Sequence, residues 1–107
     1  MPTVPKGLVH QNQLDREVEK SVAKLSTLEV VRVRHSIGVD STGDPSIFFR
    51  IVLTDSASKA DRLAEVTDRI AGTLFDRLRP HENWGLLPYF SFRSKSEQDK
   101  RNEPEWA

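Results

Sequence analysis

The chain has no cysteine in its 107 residues, which excludes disulfide staples and thiolate chemistry together. Histidine is scarce: His10, His35 and His81 stand at separations that match no metal-ligand spacing such as HxxxH. A GxSxG elbow, a P-loop and a paired glycine-rich phosphate cradle are all missing. With no recognisable nucleophile–base arrangement, the chain is expected not to be an enzyme, and no catalytic residue, metal ligand or cofactor is assigned. An excess of either charge is missing as well. Sixteen Lys and Arg balance sixteen Asp and Glu, so no bulk charge draws the chain to nucleic acid, membrane or acidic polymer. Residues 1–7 contain no apolar leader, and no later run approaches the length of a membrane span. The default expectation is a reducing cytoplasm.

What is present is a long hairpin. Residues 29–39 and 46–54 alternate apolar and polar side chains, and a loop rich in Asp, Ser, Gly and Pro joins them at residues 40–45. Alternate side chains of a strand point to opposite faces. Val31, Val33, His35, Ile37 and Val39 therefore share one face with Ile47, Phe49, Ile51 and Leu53. The opposite face carries Arg32, Arg34, Arg50, Phe48 and Val52. In the loop, Asp40 and Asp44 are read as turn formers, because a calcium loop needs more oxygen ligands in a longer pattern.

Helical periodicity flanks the hairpin. Leu14, Val18, Val22, Leu25 and Leu28 recur at three- and four-residue spacing, with Asn12 as the expected N-cap. After the hairpin, Leu63, Val66, Ile70, Leu74 and Leu78 form a second stripe, with a capping-box-like start at Ser58 and a stop at Pro80. Glu65 precedes Arg69 by four residues, the favourable orientation for a helical ion pair. Residues 80–85 read as a loop, and residues 86–93 as a third strand that Pro88 confines to a sheet edge.

The expected fold is α+β, a two-layer sandwich in the order α-β-β-α-β. A right-handed crossover through the second helix returns the third strand parallel to the second. Set beside the first strand, it gives a three-stranded mixed sheet of order 2-1-3 with both helices on one face. Residues 1–10 are expected as a flexible lead-in, 11–93 as a single domain, and 94–107 as a polar tail whose Trp106 either hangs loose or docks it. Over residues 11–93 the element order resembles the type II KH arrangement of some RNA-binding and ribosome-associated proteins. The GxxG loop by which KH modules clamp the nucleic acid backbone is absent, since Gly72 is followed by Thr73, Leu74 and Phe75.

The open face of the sheet is the candidate site. Arg32, Arg34, Arg50 and Arg93 should gather there with Phe48 and Tyr89 among them. Arginine pairs with carboxylate or phosphate through a planar fork and stacks on aromatic rings. Exposed Arg and aromatic residues together are enriched at protein interfaces. The expectation is a small non-enzymatic protein-binding module, a regulatory or accessory subunit, using this face or an exposed edge strand. Its partner is another protein or a second copy of the chain, which Phe48 and Val52 would serve as a dimer surface. The alternative is a KH-like RNA-binding protein using the same face. Within the chain, the acidic tail is a third candidate to fold back onto these arginines.

Overall fold

The structure, a computed structural model, describes residues 4–107. The part of the expected lead-in at residues 1–3 lies outside the described residues. The elements in chain order are α1 (Lys6–Val9), α2 (Gln11–Val22), β1 (Val30–Val39), β2 (Pro45–Leu53) and α3 (Leu63–Leu78). There follow α4 (Pro80–Trp84), β3 (Leu87–Ser94), α5 (Lys95–Arg101) and a 3-10 turn at Pro104–Trp106. The fold is α+β with a three-stranded mixed sheet, as the periodicities imply. None of the described helices is long and apolar enough to cross a membrane.

Strand order is where the sheet departs from expectation: it runs β1-β2-β3, and not 2-1-3. β3 pairs in parallel with β2, while β1 pairs with β2 antiparallel. Burial gives the physical reason. In β2, Ile47, Phe49, Ile51, Val52 and Leu53 are all fully buried. The most apolar strand thus sits where both of its edges are covered, and the arginine-bearing β1 takes an edge. The crossover through α3 therefore closes directly onto β2, where Phe49 and Phe90 stack with centroids 5.2 Å apart.

The expected sharing of faces holds over most of the hairpin, where Val33 lies opposite Ile51, His35 opposite Phe49 and Ile37 opposite Ile47. It fails at Val31. A bulge lets Val30 pair with Leu53 and Arg32 with Val52, so Val30 packs against the core and Val31 is left exposed. Leu14 and Val18 of α2 join Val66, Ile70, Leu74 and Leu78 of α3 in one core against Ile47, Phe49, Ile51 and Leu53.

Helix boundaries are shorter than the stripes imply. α2 ends at Val22, so Leu28 is 83% exposed, and the N-cap of α2 is His10 in place of Asn12. α3 starts at Leu63, because residues 55–62 form turns in which Thr54 accepts from the Ala57 amide. Glu65 and Arg69 do meet, at 3.8 Å. Residues 80–84, read as a loop, form the short α4 with Pro80 in its first turn, where no amide is required.

Candidate functional site

The outer face of the sheet, away from α2 and α3, collects the predicted residues by register. Arg32 lies opposite Val52, Arg34 opposite Arg50, and Ser36 opposite Phe48. On the other side of β2, Phe48 lies beside Tyr89 and Val52 beside Arg93. All six candidate side chains thus share one face. They do not share one environment.

Half of this face is covered by the chain itself, against the expectation that it stays open. The cover is α5 and the 3-10 turn. Ser94 caps α5 by accepting from the Glu97 amide at 3.0 Å, and Asn102 ends it in the left-handed region at φ 50°. That reversal aims Trp106 back at the sheet, where it is buried. Arg93 stacks on the Trp106 ring, its guanidinium carbon 4.1 Å from the centroid, and pairs with Glu103 at 3.3 Å. The Nε atoms of Arg32 and Arg34 donate to the backbone oxygens of Trp106 and Ala107, each at 2.7 Å. Gln98, also buried, accepts from Arg93 and donates to the Glu103 carbonyl, both at 3.0 Å. Asp55 fastens the start of α5 by accepting from the amide and hydroxyl of Ser96, which holds its carboxyl below the usual range. Val52 disappears under this clasp and is removed from the expected dimer surface.

The other half remains accessible. Phe48 and Tyr89 stack with centroids 5.5 Å apart and planes 17° from parallel, and Tyr89 is 42% exposed. Beside them, Arg50 donates to Ser36 Oγ at 2.8 Å and 3.1 Å. Arg34 stands directly across the ladder from Arg50. Among the described residues neither of these two arginines lies within ion-pair distance of a side-chain carboxylate: Arg34 is held only through Nε by the Ala107 oxygen and Arg50 only by Ser36, whereas Arg93 pairs with Glu103. Like charges directly opposite in a sheet repel, and an anion brought between them relieves that repulsion.

The Asp40 loop frames this half. The Asp40 carboxylate accepts from the Thr42 amide and hydroxyl and from the Asp44 amide, and Tyr89 donates to its second oxygen at 2.7 Å. The Asp44 backbone contact is the largest cause that brings the Asp40 pKa down to about 2, followed by Thr42 and Tyr89. The Tyr89 hydroxyl is raised above 10.0, chiefly by donating to that carboxylate.

The other sequence candidates stand apart. His35 is half-buried on the helix-facing side and meets Asp15 at 2.8 Å. His81 is exposed; Glu82 and Trp84 line a concavity with Lys6, Glu17 and Arg77, to which His81 does not contribute. Glu29, passed over in the sequence as the first residue of the hairpin, is a buried carboxylate clasped by Arg62 and Arg69. The nearest signal was the spacing of Glu65 and Arg69, which names the right arginine with the weaker partner. No family model, no curated protein and no solved structure matches the chain.

Proposed function

We propose that the protein is a small non-enzymatic binding module that presents the accessible half of its outer sheet face to an acidic protein surface. The observation carrying this reading is the Arg34–Arg50 pair, which among the described residues has no side-chain carboxylate within ion-pair distance, with Arg34 held only by the Ala107 oxygen, and which is set beside the Phe48–Tyr89 stack. A partner carboxylate placed between the two guanidinium groups would pair with both, while an apolar side chain packs on the aromatic stack. The chain's own tail illustrates the chemistry. It brings a Trp and a Glu onto Arg93 a short way along the same face.

The RNA-binding alternative draws less support. Arg32, Arg34 and Arg93 are all engaged by the tail, which leaves Arg50 as the one arginine of the face that it does not hold. The joint between α3 and α4 reads Leu78-Arg79-Pro80-His81 with no glycine to let a phosphate backbone approach.

The test is affinity capture from the source cell's extract with wild type, Arg50→Glu and Phe48→Ala. The reading expects a partner retained by wild type and lost by both variants, with unchanged circular dichroism. A single-stranded RNA titration at two salt concentrations runs beside it. RNA binding that weakens steeply with salt and is abolished by Arg50→Glu would replace the protein reading.

A further inference from the structure

The sheet has two edges, and they are not equivalent. β3 is eight residues long and contains Pro88, which has no amide to offer a neighbour. β1 is ten residues long, contains no proline, and among the described residues has a strand on one side only. The helix layer also covers β1 incompletely: Val33 and Ile37 are half-buried, whereas their partners Ile51 and Ile47 are fully buried. Two grooves run along this edge on the helix-facing side, one on each side of the His35–Asp15 hydrogen bond. The first is lined by Val18, Val22 and Val33 with Glu19 and Arg34 at its rim, and the second sets Leu8 and Ile37 among the polar Gln11, Asp15 and Ser36.

We propose that two copies of the chain join edge to edge through β1, antiparallel about a twofold axis at His35, so that their sheets become one. This goes beyond the partner-binding face and does not depend on it. The register follows from symmetry and charge. Residues opposite one another in an antiparallel ladder share a face, so the axis must pass through a residue. An axis at Val33 sets Arg32 against Arg34, and one at Arg34 sets that arginine against itself. An axis at Ser36 sets Arg32 against Asp40, whose carboxylate is already taken by Thr42, Asp44 and Tyr89.

The axis at His35 alone among these places both arginines opposite small neutral residues, Arg32 facing Gly38 and Arg34 facing Ser36. On the helix-facing side it sets Val33 of each copy against Ile37 of the other. Val33 and Ile37 of each copy then gain an aliphatic neighbour from the other, adding burial that the monomer leaves unfinished. At the end of the ladder the exposed Val39 comes up to the exposed Val31, where the bulge stops further pairing. An edge contact of this length falls at the small end of interface sizes, so the association should be seen at micromolar concentrations.

The absence of cysteine makes the register directly readable. Arg34→Cys and Ser36→Cys are prepared as separate single variants, checked by circular dichroism, and oxidised alone and as an equimolar mixture. The expected result is a disulfide-linked dimer from the mixture and little from either alone, because residue 34 of one copy faces residue 36 of the other. Crosslinking of Arg34→Cys alone, or of Ser36→Cys alone, overturns the proposed axis. Sedimentation velocity of the wild-type chain from about 10 to about 500 µM should show a reversible dimer. A monomer throughout that range overturns the proposal. Ser36→Arg, which sets like charges opposite at two symmetric places, should raise the dimer dissociation constant about tenfold. Phe48→Ala should leave it unchanged, which separates this edge from the partner-binding face; loss of the dimer in Phe48→Ala overturns the edge in favour of the face.

Discussion

The hydroxyl of Tyr89 donates to the carboxylate of Asp40 at 2.7 Å, which ties the edge strand β3 to the tip of the β1–β2 hairpin. Asp40 and Tyr89 are 49 residues apart in sequence, and the bond spans the accessible half of the proposed binding face. Because the carboxylate stays ionised, it favours the protonated phenol, and the phenol's titration is displaced upward from 10.0. Tyr89 is the chain's one tyrosine, so phenolate absorbance reads this group alone. The wild-type midpoint should lie above 10.0, and in Asp40→Asn it should move down toward that value. An identical midpoint in the two proteins would remove the bond from the account.

The same carboxylate sets an acid limit on the hairpin tip. Its folded-state pKa, about 2, lies below its ordinary value of 3.8. A depressed carboxyl pKa contributes stability that is fully present above the unfolded value and lost as the pH falls through the folded one. The protection factors of the Thr42 and Asp44 amides, which donate to Asp40, should therefore hold at pH 5 and fall between about pH 4 and about pH 2. Thr42→Ala removes one of the three contacts from the loop and should raise the pH at which the change begins.

Trp106 should behave as the pin of the tail. Its burial and its stacking on Arg93 are worth roughly 2–3 kcal/mol in aggregate. Trp106→Ala should lower the urea midpoint accordingly and open Gln98 and Val52, both now buried, to solvent. Protease cleavage near Asn102 should accelerate in the same variant. An unchanged midpoint with unchanged cleavage would mean that the clasp does not hold the tail in solution.

How far this arrangement is legible in sequence depends on whether a residue's partner is local. The common face of Val33, His35 and Ile37 with Ile47, Phe49 and Ile51 follows from period-two alternation, and the ladder sets these residues opposite one another. The apolar face of α3 follows from its 3.6-residue period, apart from Leu63 and Phe75, which lie at its margin and remain exposed. Strand order is not local: nothing within residues 86–93 says whether β3 joins β1 or β2, and the answer lies in β2, whose Ile47, Phe49, Ile51, Val52 and Leu53 are all buried. The bulge at Val31 likewise arises from how residues 28–32 and Thr54 lace together, with the Thr54 amide donating to Glu29 and its hydroxyl to Leu28. The clasp is the hardest to read, because one tryptophan in a polar stretch has no periodicity. Its destination is fixed by Asn102, Gln98 and Arg93 acting together.

Gly7 should tolerate no side chain. It is buried in α1, and a Cβ there would approach Leu86 Cδ1 to 2.5 Å and the Trp84 carbonyl oxygen to 3.2 Å. Leu86 is itself fully buried and cannot swing aside into solvent. Gly7→Ala should cost about 1–3 kcal/mol through overpacking, read as a lower thermal midpoint, even though alanine favours the helix. A midpoint equal to or above wild type would show that α1 is not docked against the α4–β3 junction.

Glu29 joins the start of β1 to α3, and its pH dependence has a definite sign. Its carboxylate receives two bonds from Arg69, one of them at 3.0 Å, and one from Arg62 at 3.4 Å. The Arg69 hydrogen bonds lower its pKa from 4.5, desolvation opposes them, and the Arg69 and Arg62 charges lower it further. Stability from this group is therefore fully present above pH 4.5 and lost as the pH drops through the depressed folded value. Glu29→Gln keeps the shape and removes the charge. Both arginines are about half-exposed and can turn to water, which limits the loss to about 1–2 kcal/mol at neutral pH. The decisive comparison is between pH values: the gap between wild type and Glu29→Gln in urea should be largest near pH 7 and shrink below pH 4. A gap that stays constant down to about pH 2 would assign the loss to packing and not to the ion pair.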